Sequence, residues 1–149
     1  MQIIEWDDEG YPTEESLKRL KKTLLGEPIS EAINAFYSAL KENSWPDCCG
    51  LTKAEVRGEV IEVWAYHTGG WSGNEDIIST LSQFPLWSVY LERYDAGGHY
   101  YFKPWDEVKK ILEVRESHDK QSQALPQQQK PRTHRQSEST RRKRSIPAP

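Results

Sequence analysis

Four side chains in this sequence have the types used in acid–base or metal chemistry and lie close to glycine pairs: His67, His99, Glu75 and Asp76. His67 precedes Thr68-Gly69-Gly70, and His99 follows Gly97-Gly98. Imidazole titrates near neutrality and is a common metal ligand. Two imidazoles together with the Glu75 or Asp76 carboxylate would make a hydrolytic or metal-binding constellation, provided the two strand ends adjoin. The motifs that usually accompany such chemistry are missing: there is no HExxH, no paired CxxC and no GxSxG. The adjacent Cys48 and Cys49 lack the spacing of a zinc site. A hydrogen-bonded structural role is the simpler reading of each histidine, and no cofactor and no metal ligand set is expected.

The stretch Tyr66-His67-Thr68-Gly69-Gly70-Trp71-Ser72-Gly73-Asn74-Glu75-Asp76 reads as a strand–turn–helix junction. Glycines permit positive φ and close backbone approach. A helix N-terminus offers amides to an anion, so a nucleotide or phosphate ligand is one reading. Against it, no Gly-Lys-Ser/Thr is present, and Glu75 and Asp76 occupy the first turn. Ser72 and Glu75 have the spacing of a capping box, which makes a capped tight turn beneath Trp71 the structural reading. A partner-binding loop is the third.

This stretch resembles a group of small phage- and prophage-encoded proteins that share T-G-G-W-S-G-N-E, two apolar residues, a tryptophan strand and a G-G-H-Y element. The matching residues are Thr68 to Glu75, Trp87 and Gly97-Gly98-His99-Tyr100, and the likeness covers roughly residues 55–103. The group has no assigned activity. The resemblance implies a phage or mobile-element setting and carries no catalytic residues with it.

These residues must be positioned by an α+β domain. Thr13-Glu14-Glu15 predicts a helix N-terminus, followed by Leu17, Leu20 and Leu24 at helical spacing. Ser30 is the expected cap of a second helix, with Ile33, Phe36, Tyr37 and Leu40 as its stripe, ending before Trp45-Pro46. Leu51–Val56 and Glu59–His67 read as a hairpin turning at Arg57-Gly58. A helix over Ile77, Ile78, Leu81 and Phe84 follows. Leu86–Tyr94 and His99–Lys103 then form a second hairpin, and a last helix from Pro104 fades near Arg115. The order is α-α-β-β-α-β-β-α, with a small, mostly antiparallel sheet packed on helices.

Strand alternation places Ile61, Val63, Ala65, Trp87, Val89 and Leu91 on one face, expected to take the Ile77/Leu81/Phe84 helix. The other face carries Glu62, Trp64, Tyr66, Ser88, Tyr90, Glu92 and Tyr94. It is either covered by the N-terminal helices or left as an aromatic, acidic platform.

Charge divides the chain. Residues 1–115 hold 12 basic and 20 acidic residues, a net charge of -8. Residues 116–149 hold eight basic and three acidic residues, a net of +5, and no aromatic residue. That second segment, rich in Gln, Ser and Pro, is expected to be a disordered tail, because it has too little apolar surface to offset its ordering entropy. Its Arg141-Arg142-Lys143-Arg144 cluster suits weak, salt-sensitive nucleic-acid contact, or contact with the acidic domain itself. No apolar run is long enough for a membrane span, the N-terminus has no secretory pattern, and the cysteine usage suits a reducing compartment, so a cytoplasmic protein is expected.

The preferred reading is a non-enzymatic module that binds a host or phage protein with a basic surface. Glu62, Trp64, Tyr66, His67, Trp71, Asn74, Glu75, Tyr90, Glu92 and His99 are its candidate binding residues. The alternatives are a small enzyme or nucleotide/phosphate-ligand binder at the junction, and a nucleic-acid binder acting through the tail.

Overall fold

The computed structural model describes residues 2–45, 47 and 49–124. Thr13 caps α1 (Glu14–Leu24), its Oγ1 accepting from Ser16 N at 3.3 Å, and Leu20 and Leu24 are buried. Helix α2 (Ile29–Leu40) begins one residue before Ser30. Pro28 stands at its cap with no side-chain bond, so the cap expected at Ser30 is not formed. Proline is at home there because the first amides of a helix have no internal partner.

Strands β1 (Cys49–Val56) and β2 (Glu59–His67) form the expected hairpin, with Arg57 at φ 53° and Gly58 at φ 85° in the turn. Two consecutive positive φ angles match the right-handed strand twist. Helix α3 (Ser72–Leu81) follows. Next comes a helical turn, α4 (Trp87–Tyr90), then β3 (Leu91–Asp95), β4 (His99–Phe102) and α5 (Trp105–Ala124). The sheet order is β1-β2-β4-β3, antiparallel throughout.

Two sequence expectations are corrected. The second hairpin's first strand starts at Leu91, not Leu86. Trp87 N donates to Phe84 O and Tyr90 N to Leu86 O, closing a helical turn instead. Trp87 and Tyr90 lie three apart, so both reach Phe36, with ring centroids 6.1 and 6.0 Å away. Helix α5 continues through residues 116–124, beyond the expected end near Arg115. Residues 125–149 of the expected tail, including the Arg141–Arg144 cluster, lie outside the described residues.

The core face of the sheet is also not the expected one. Ile77, Leu81 and Phe84 join Leu20, Leu24, Ile33, Phe36 and Leu40 in one cluster with Tyr66 and Phe102. Trp64 packs at its edge, its Nε1 donating to Leu40 O at 3.3 Å. Helices α2 and α3 therefore share the core with the Trp64/Tyr66 face, α1 packs on both of them, and α3 does not cover Ile61, Val63 and Ala65. That second face is partly closed by the sheet itself. Its residues Gly50, Thr52, Ala54 and Ala65 are small, and the sheet curls until Arg93 on one edge strand donates to Glu55 O on the other at 2.9 Å. Val63 is fully buried inside the curl.

Candidate functional site

The strand–turn–helix junction is held by a buried polar network. Asn74 is 0% exposed. Its Nδ2 donates to Asn43 Oδ1 (3.0 Å) and Thr68 O (3.2 Å), and its Oδ1 accepts from Ser44 N (3.1 Å). Asn43 donates onward to His67 O at 3.1 Å and accepts from Trp45 N at 2.7 Å. One buried amide pair therefore ties the segment after α2 to the end of β2 and the start of α3. Buried amides carry a heavy desolvation cost unless all their donors and acceptors are used, and most are used here.

The expected capping box does not form. Trp71, not Ser72, occupies the cap position and makes no side-chain cap bond. The Glu75 carboxylate instead accepts from the buried Thr68 hydroxyl at 2.5 Å. Thr68 N donates to Gly98 O at 3.0 Å, joining the turn to the β3–β4 hairpin. Gly98 has φ +82°, and a Cβ there would stand 2.0 Å from Thr68 Oγ1. Gly69 has φ +63°, and a Cβ there would meet the Trp45 ring at 2.5 Å. Both glycines thus serve close approach as well as backbone angle. Glu75 places a carboxylate in the first turn of α3. That charge opposes a phosphate at the helix end.

His67 and His99 do adjoin. They are direct partners across β2 and β4, with Nδ1···Nδ1 at 2.8 Å and ring centroids 4.8 Å apart. At that separation one ring donates and the other accepts, so at least one is neutral. Burial, and secondarily the facing His99, holds the His67 imidazole below the usual histidine value. Tyr101 meets His67 edge-on at 5.8 Å, and the Arg93 guanidinium lies over Tyr101 at 5.5 Å. Arg93 is committed to Asp95 through two bonds of 2.8 and 2.7 Å. Of the two carboxylates expected to complete the constellation, Glu75 is engaged by Thr68 and Asp76 is exposed on α3. Among the described residues no group of three His, Cys, Asp or Glu side chains can hold a metal ion.

The aromatic platform is covered. Tyr66 is fully buried and Tyr90 nearly so, leaving neither ring a face for a partner's cation. Burial pushes the Tyr66 phenol far above its ordinary value. Of the two platform carboxylates, Glu62 is exposed, whereas Glu92 is paired with Lys103.

The structure gathers a different aromatic group, of which the sequence reading contains only Trp71. Residues 6–12 fold into a tight loop closed by a Trp6–Pro12 bridge, with Asp7 Oδ1 accepting from Glu9 N (3.0 Å) and Tyr11 N (2.8 Å). Tyr11 stacks on Trp71 at 4.9 Å, and Trp45 meets Trp71 at 6.1 Å. Trp6, Trp45 and Trp71 line a cleft of about 440 Å³ with Glu9, Asn43 and Ser44. A second cleft of about 490 Å³ shares Trp6 and Asn43, so the two form one trough. Trp45 is 46% exposed. The available sequence signal was a tryptophan at position 6 and another at 45, each in a polar segment outside any amphipathic stripe.

The fold and this junction define a small α+β domain with an open aromatic trough. Comparison of the chain with family models, curated proteins and solved structures returns no match. Among the described residues, no helix is long and apolar enough to cross a membrane.

Proposed function

We propose that this chain is a non-enzymatic protein-binding module of phage or mobile-element type, whose partner presents a basic surface. The observation that carries the reading is the half-open tryptophan trough on a domain of net charge -8. Large aromatic side chains left accessible in a cleft are typical anchors of protein recognition. The phage setting rests on the Thr68–Glu75 and Gly97–Tyr100 strings. The enzymatic alternative loses support because Glu75 is bonded to Thr68 and the two imidazoles are bonded to each other.

The test is capture of a partner from host extract on the immobilised full chain, followed by measurement of its affinity for variants. Trp45→Ala is expected to weaken binding at least tenfold, as truncating an interface anchor does. Val60→Ser, on an exposed position of the hairpin, is expected to leave it unchanged. A partner that binds the Trp45 variant as tightly as the parent chain rules out the trough as the binding surface.

A further inference from the structure

If the chain is a binding module, as proposed, we infer that the trough takes an arginine side chain of the partner, its guanidinium lying on the indoles and its charge answered by Glu9. Three observations point to this group. First, Trp6, Trp45 and Trp71 wall a cleft of about 440 Å³, which has room for a long side chain. Indole faces carry negative potential and attract cations.

Second, the acidic rim is available. Glu5 is engaged by Arg19 at 2.7 Å, and Asp7 is used by the loop's own amides. Among the described residues, the exposed Asp8 and Glu9 make no ion pair, and Glu9 lines the cleft. Glu42, in the adjoining cleft, is occupied by the amides of Ile3 and Ile4. The free carboxylate therefore stands at the tryptophan end of the trough.

Third, the wall keeps an unused acceptor. Ser44 Oγ and Trp71 Nε1 are both buried and make no hydrogen bond among the described residues; the hydroxyl can accept from a guanidinium, and the indole N–H is left for an acceptor such as a backbone carbonyl of the same partner segment. A guanidinium stacks through its flat face while its in-plane N–H groups donate sideways. An ammonium is more strongly hydrated and loses more on leaving water. A phosphate or carboxylate would meet Glu9 and the indole faces, both repulsive.

The experiment uses the full chain labelled with ¹⁵N at its six tryptophan indoles. It is titrated with an acetylated, amidated Gly-Arg-Gly peptide, then with its lysine and citrulline counterparts. The indole signals of Trp6, Trp45 and Trp71 are expected to move, while those of Trp64, Trp87 and Trp105 stay. Citrulline, the neutral isostere, is expected to bind about tenfold more weakly, with lysine between. Glu9→Gln is expected to weaken the arginine peptide and leave the free spectrum unchanged.

Equal binding of citrulline and arginine overturns the cationic assignment and leaves the binding-module reading standing. Absence of movement at all three indoles overturns the site, whatever the capture experiment returns. Replacing Arg141, Arg142, Lys143 and Arg144 by Ser in the full chain gives the last outcome. If the three indole signals then shift without peptide, the occupant is this chain's own C-terminal segment, and the partner assignment fails.

Discussion

Two polar contacts join the same pair of strand ends, one residue apart, and they live in opposite surroundings. His67 faces His99 across β2 and β4 where the rings meet solvent. Thr68, the next residue, reaches Glu75 and the Gly98 carbonyl from a fully buried position, beside the equally buried Asn74. Side chains alternate between faces, so one step past the end of β2 moves from an exposed imidazole pair to a hydrogen-bonded lock centred on buried side chains. The comparison teaches that burial, and not contact geometry, sets the worth of each pair. A lost partner inside is paid for in full desolvation, whereas an exposed group turns to water.

The most damaging way to break the lock is Gly98→Ala. The added carbon stands 2.0 Å from Thr68 Oγ1 at a φ of +82°, so a loss of about 2–4 kcal/mol is expected in urea unfolding. Pairing it with Thr68→Ala should recover part of that loss, because the clashing oxygen is removed. Simple additivity of the two would refute the steric account.

Asn74→Ala comes next. It strips partners from Ser44 N and Asn43 Oδ1 inside the protein and leaves a small void. The expected cost is about 3 kcal/mol. A change under ~1 kcal/mol would mean that water replaces the amide and the site is not dry. Thr68→Val keeps the shape and removes one hydroxyl, with an expected cost of about 1–2 kcal/mol; Thr68→Ser should lose less.

The smallest effect belongs to the imidazole pair and is a matter of pH. The folded His67 binds its proton less readily than an unfolded histidine. As pH falls below the ordinary value of about 6.5, the unfolded chain takes up a proton that the folded chain declines. Stability therefore falls with acidification through that window and is unaffected by this group at higher pH. His67→Gln should flatten that part of the stability–pH curve while changing little at pH 8. An unchanged slope in the variant would assign the pH dependence to other groups.

Legibility in the sequence followed the range of the interaction. Thr13 caps α1 and Arg57-Gly58 turns the first hairpin because both depend on a few neighbouring residues. The element order was readable from periodicity, except where Trp87, Val89 and Leu91 imitated a strand while Trp87 and Tyr90 were spaced to reach Phe36 in a helical turn. At the site, the sequence placed His67 and His99 at strand ends beside glycine pairs, and the pairing of β2 with β4 made those ends adjoin. The engagement of Glu75 by Thr68 could not be read there, since the Ser72–Glu75 spacing served a capping box equally well.

By itself, then, the sequence determined an acidic α+β domain, its order of helices and strands, and a glycine-bearing strand–turn–helix junction. Those features follow from local propensity, alternation and charge, which are properties of neighbouring residues. Only the tertiary structure decided which sheet face is dry. Trp64 and Tyr66 took the helices because large rings fill an interlayer space, while the small residues of the other face let the sheet curl on itself. The tertiary structure alone also brought Trp6, Trp45 and Trp71 to one cleft, from three segments with no periodic relation to one another.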